Sequence, residues 1–91
     1  MDSKDIYRRA LDTFGAALQT LVAIEEMSEL QKELCKNRRG KENRAAIAEE
    51  IADVQITLEQ MTMLYDCSKA VADFRTEKLL RLEERIAETI E

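Results

Sequence analysis

Asn37-Arg38-Arg39-Gly40-Lys41-Glu42 is the one interior run of six residues in this chain without an apolar side chain, and Asn43, a good helix-capping residue, follows it. On both sides the sequence carries apolar residues at helical spacing and no proline. The run therefore predicts a connection between two long helices, one from about Ala16 to Lys36 and one capped by Asn43 and ending near Tyr65. Working outward, Ser3 offers an N-cap for a first helix that reaches Phe14, where Gly15 either ends it or is absorbed into a longer helix. Asp66, Cys67 and Ser68 make a tight connection, with Ser68 capping a fourth helix that carries Val71, Phe74, Leu79, Leu82, Ile86 and Ile90. The expected fold is all-α, a four-helix bundle in one domain spanning residues 1–91.

Size limits what such a bundle achieves alone. A chain of 91 residues buries only roughly 60–65% of its unfolded surface, so a homodimer or homotetramer is expected to cover the remaining apolar faces. The net charge of −5, with both signs interspersed, argues against a nucleic-acid polymer as partner, which would need a contiguous basic face. No apolar run approaches the roughly 20 residues of a membrane span, and Met1 to Asp12 holds no apolar leader core, so a soluble cytoplasmic protein is expected. Cys35 and Cys67 have no metal-type spacing and read as reduced thiols. There is no histidine, which excludes Ser/His and Cys/His nucleophiles and His-ligated zinc or di-iron sites.

The acidic residues carry the chemistry. A wheel at about 100° per residue puts Phe14, Leu18, Leu21 and Val22 in one apolar arc of the second helix, with Glu25 and Glu29 inside it and Glu26 at its edge. On the third helix the arc is Ile47, Ile51, Val54, Leu58, Met61 and Tyr65, with Glu50 inside and Asp53 on the shoulder beside Thr57. Acidic clusters are usually solvated faces, but carboxylates turned inward cost several kcal/mol each, on the order of an ion's effective desolvation penalty, unless something neutralises them. All-oxygen ligands select a hard divalent cation, magnesium or manganese, which shares its coordination with substrate phosphates. Basic residues stand where phosphate would need them. Lys32, Lys36, Arg38, Arg39 and Lys41 lie at or beyond the end of the helix bearing the first cluster, and Lys78, Arg81 and Arg85 form a row on the fourth helix.

Glu25-Glu26-Met27-Ser28-Glu29, followed by Glu50-Ile51-Ala52-Asp53, resembles the hallmark of the MazG-like nucleoside triphosphate pyrophosphohydrolases: Glu-Glu-x-x-Glu, a variable gap, then Glu-x-x-Asp. The resemblance covers about Phe14 to Arg85 and takes in Gln19, Leu30, Ala52, Val54 and Lys78 in familial order. It implies an all-α homo-oligomer that uses magnesium to cleave a nucleoside triphosphate between its α- and β-phosphates, giving a nucleoside monophosphate and pyrophosphate. By motif position it implies Glu26, Glu29, Glu50 and Asp53 as metal ligands and Lys78 as a phosphate contact. Gln19 falls where a base or sugar contact is often made. Glu25, beside the ligands in a chain without histidine, is the candidate to orient or deprotonate the attacking water, and Lys32 and Arg81 join the candidate substrate contacts. The chain departs from many relatives after the lysine, where it reads Lys78-Leu79-Leu80-Arg81-Leu82 in place of an asparagine and an Arg-Pro-like ending. Two other readings stand beside this one: a phosphoribosyl-ATP pyrophosphohydrolase on a related fold, and a non-catalytic helical interaction module with a partner helix on helix four.

Overall fold

The computed structural model describes residues 1–90 and holds four helices: α1 (Ser3–Phe14), α2 (Ala16–Arg38), α3 (Arg44–Leu64) and α4 (Ser68–Ile90). The single-domain reading extends to Glu91, which lies outside the described residues. No strand occurs among the described residues, and no helix is long and apolar enough to cross a membrane.

Each boundary has a local cause. Asp2, not Ser3, caps α1: its side chain accepts from the Lys4 N–H at 3.0 Å, leaving Ser3 inside the helix. Gly15 ends α1 and does not merge it into α2, because it sits at φ +87°, a conformation that side-chain-bearing residues rarely adopt. α2 closes with paired bonds from Gly40 N–H to the Asn37 carbonyl and from Lys41 N–H to the Lys36 carbonyl, with Gly40 at φ +103°. α3 ends the same way, Asp66 N–H to Met63 and Cys67 N–H to Thr62, and here Asp66 takes the left-handed position at φ 49°. Ser68 is already helical, and the Cys67 carbonyl accepts the first bond of α4 from Val71 N–H at 2.9 Å.

α2 and α3 form an antiparallel hairpin, α1 packs on both, and α4 touches α3 alone. The molecule is extended: its radius of gyration is 16.4 Å, against about 12 Å for a compact chain of this length. Its accessible surface is 7539 Å², roughly 2,100 Å² more than a compact monomer of this mass exposes.

The hairpin seam is polar. Among the described residues Gln19, Asn43, Thr57 and Gln60 are buried and Ala23 is the one buried apolar residue, whereas Phe14, Leu18 and Leu21 on the α1–α2 side, Ile51 and Leu58 on α3 and Tyr65 at its C-terminal cap are exposed. The apolar arcs read from the sequence therefore meet only at their edges, where Val22, Ile47, Val54 and Met61 are half-buried. Both helices are rotated so that Gln19, Glu26 and Glu33, spaced by seven, meet Asn43, Glu50 and Thr57, also spaced by seven. Apolar residues occur all round both helices, so burial of one stripe within a single chain leaves others uncovered.

Candidate metal centre

A clamp at the hairpin's closed end sets the register. Asn43, expected as a side-chain cap for α3, makes no such bond; its amide instead donates to the Glu33 carbonyl at 2.9 Å and to Glu33 Oε1 at 3.0 Å, across to α2. Lys36 pairs with the other carboxylate oxygen of Glu33 at 2.9 Å, and Asn37 donates to Asn43 Oδ1 at 3.2 Å. The Lys36 and Asn43 hydrogen bonds hold the Glu33 carboxyl below the usual carboxylate range. Seven residues inward on each helix of the hairpin, the same register brings Glu26 opposite Glu50.

There the partners change. Glu26, Glu50 and Asp53 are half-buried and offer carboxylate oxygens that all lie within 4.8 Å of one another. An ion with bonds of 2.0–2.1 Å holds its ligand oxygens about 3–4 Å apart, so the cluster has the scale of one coordination sphere. Burial first, then hydrogen bonding to Asp53 and repulsion from Asp53, Glu50 and Glu25, pushes the Glu26 carboxyl up. Burial also leads for Glu50, followed by the charges of Asp53, Glu29, Glu49 and Glu33. Glu50 Oε2 is buried and has no hydrogen-bond partner, and no lysine or arginine pairs with any of the three among the described residues. Clustered like charges with an orphaned oxygen and all-oxygen donors fit a hard divalent cation.

Of the four expected ligands the structure brings three together. Glu29 stands at the rim, half-buried and paired with Lys32 at 3.6 Å. Glu26, expected at the edge of the inward face, is at its centre, and Glu25, expected inside it, is exposed, because the rotation of α2 turns position 25 away from α3. Gln19 is buried in the seam, two helical turns along α2 from Glu26, roughly 10 Å away. Lys78 and Arg81 are exposed on α4, which makes no contact with α2, so the single chain does not bring them to the cluster. The positioning pair Glu33 and Asn43 was missed in the sequence, although the seven-residue spacing of Gln19, Glu26 and Glu33 against Asn43, Glu50 and Thr57 signals a polar seam. Comparison with family models, with curated proteins and with solved structures gives no match to this chain.

Proposed function

We propose that the chain is a cytoplasmic, homo-oligomeric, magnesium-dependent nucleoside triphosphate pyrophosphohydrolase of the MazG-like kind, cleaving (d)NTP to (d)NMP and pyrophosphate and so removing unwanted nucleotides. The observation that carries this reading is the Glu26, Glu50 and Asp53 cluster, together with the buried, unpartnered Glu50 Oε2. A pure interaction module gains nothing from three uncompensated carboxylates in a helix seam, which cost stability unless a cation neutralises them.

In this reading Glu26, Glu50 and Asp53 would hold magnesium, or manganese in its place, with Glu29 at the rim as a further ligand and Lys32 as a phosphate contact. The ion supplies Lewis-acid polarisation of phosphate oxygens and an acidified water. Glu25, exposed at the solvent side next to Glu26, orients and deprotonates the attacking water. The excess surface and the exposed apolar residues on α2, α3 and α4 support self-association.

The test is pyrophosphate release from a panel of nucleoside triphosphates and phosphoribosyl-ATP, with magnesium and with chelator. Magnesium-dependent release from one or more triphosphates is expected. Release from phosphoribosyl-ATP alone would move the substrate to the related enzyme, and no release from any compound would end the reading.

A further inference from the structure

The start of α1, the end of α3 and the start of α4 line an open cleft of about 770 Å³, within the roughly 300–1,000 Å³ of small-molecule sites. It stands apart from the acidic cluster. Glu59, on its wall, is nine positions from Glu50, about two and a half turns along α3 and on the opposite side of that helix. Lys4, Tyr7 and Arg8, at helical spacing, give the α1 wall, and Glu59, Met63 and Asp66, likewise spaced, give the wall from α3 and its closing turn. Cations therefore line one side and carboxylates the other.

Three features distinguish this cleft from an ordinary solvated surface. Opposite charges share it unpaired: among the described residues no ion pair joins Lys4, Arg8, Glu59 or Asp66 to one another or to any other group. The walls are also pinned. The Tyr7 hydroxyl donates to Glu59 Oε2 across the cleft, between residues 52 apart in sequence. That bond, then burial and the Glu59 charge, holds the phenol above its ordinary 10.0, so it stays protonated as a donor at neutral pH. One Glu59 oxygen is thereby fixed, and the other is left for a ligand. The third feature is the residue at the turn. α2 and α3 close with the same pair of bonds, but where α2 places Gly40 in the left-handed conformation, α3 places Asp66 at φ 49°. Glycine is the residue this position favours, so the chain keeps a carboxylate in the cleft at a cost in local conformation.

We propose that the cleft binds a small zwitterion, an amino acid or short peptide, with its carboxylate on Lys4 and Arg8 and its ammonium on Glu59 and Asp66. Two cations and two carboxylates sum to no net charge. A bare anion such as phosphate meets the repulsion of Glu59 and Asp66, and a bare cation that of Lys4 and Arg8. A molecule carrying both signs satisfies both walls with charge-assisted bonds, and Met63 and the Tyr7 ring offer apolar contact to what lies between. Ser68, the first residue of α4, also lines the cleft. A bound ligand therefore links α1 to α4, which do not otherwise touch, and steadies a helix that rests on α3 alone. The site acts in this way whether or not the acidic cluster hydrolyses a nucleotide.

Calorimetric titration of the whole chain tests this, with the common amino acids and with diglycine and triglycine as zwitterions, and with acetate, methylammonium and inorganic phosphate as probes of one sign. At least one zwitterion is expected to bind, and every one-sign probe to bind at least about tenfold more weakly, having lost the charge-assisted contacts of one wall. Asp66→Gly is expected to melt no lower than wild type without ligand, yet to bind the best zwitterion about tenfold or more weakly, and Arg8→Gln to lose a similar factor. No binding by any zwitterion, phosphate bound as tightly as the best of them, or both variants binding like wild type would overturn the proposal while leaving the hydrolase reading in place. Amide exchange with the best zwitterion bound reads the link between helices. Slower exchange in the first turn of α4 is expected, and unchanged exchange there would overturn that link.

Discussion

Glu26 and Glu33 stand seven residues apart on α2 and point into the same seam, yet their surroundings are opposite. Glu33 meets an amide from Asn43 and an ammonium from Lys36, and its carboxyl is held below the usual range. Glu26 meets Glu50 and Asp53, and its carboxyl is pushed up. The first arrangement ties two helices together without help. The second sets like charges against one another, which costs stability unless protons or a cation neutralise them.

The largest effect expected from breaking this contrast is on catalysis at the strained cluster. Glu50→Gln keeps the side chain's shape and removes one charge, and pyrophosphate release should fall on the order of 10²–10³-fold, the loss typical of removing one group that stabilises developing charge. In chelator the variant should melt at an equal or higher temperature than wild type, since one repelling carboxylate is gone. A variant that keeps wild-type rates with magnesium would remove Glu50 from the site.

Next comes the ligand's own effect. Magnesium that binds the folded state alone adds about 2.7 kcal/mol at a hundredfold excess over its Kd, or roughly 10–20 °C in Tm for a domain of this size. Melting curves at one fixed protein concentration, with chelator and with magnesium, read it directly. Glu50→Gln should lose most of the increment, and a wild type whose Tm ignores magnesium would argue that the cluster is merely acidic.

How far the sequence reveals all this differs between parts. The four helices and their connections follow from the polar run at 37–42, from Gly15 and from the Asp66 turn, because glycine, capping residues and helix period act locally. The acidic motif points by number to Glu26, Glu50 and Asp53, which the structure brings together, and to Glu29, which it leaves at the rim. What the sequence hides is the rotation of α2 and α3. Leu18, Leu21, Ile51 and Leu58 make the stronger apolar arcs, and an apolar arc is the natural choice for an inward face. In the structure Leu18, Leu21, Ile51 and Leu58 are exposed, Val22, Ile47, Val54 and Met61 are half-buried, and the seam buries Gln19, Asn43, Thr57 and Gln60. The choice between two faces of a helix that is apolar all round depends on tertiary packing, which helix period does not encode. Lys78, expected as a phosphate contact, lies on α4, which its own chain does not bring to the cluster.

The satisfied end of the seam offers a smaller and opposite effect. Asn43→Ala removes the amide that bonds Glu33 and leaves buried polar groups short of a partner, a loss of about 1–3 kcal/mol. Denaturant melts should show that loss equally with and without magnesium, because the clamp lies a full heptad from the cluster. A change in the magnesium increment itself would mean that the clamp and the cluster are one unit, with register transmitted along the seam.

The smallest expected effect is on the pH dependence of stability in chelator, where the two ends of the seam pull in opposite directions. Glu26 and Glu50 have folded-state pKa values raised above the ordinary 4.5, so the folded chain binds more protons than the unfolded chain between the two values. The stability they contribute is fully present below 4.5 and is lost as pH rises through the raised values. Glu33, whose pKa is lowered, contributes stability that is present above 4.5 and lost as pH falls through its folded value. Metal-free protein should therefore gain stability as pH is lowered from about 7.5 toward about 5, and then lose it below about 4.5 as Glu33 releases Lys36 and Asn43. Glu26→Gln should flatten the upper limb and leave the lower one. Asn43→Ala should weaken the lower limb and leave the upper one. Saturating magnesium should invert the upper limb, since protons then compete with the cation for the same oxygens. Thermal melts of the three proteins across this range, with chelator and with magnesium, distinguish the two ends of the seam: a metal-free wild type whose stability only falls as pH drops from 7.5 would show that Glu26 and Glu50 are solvated and unstrained.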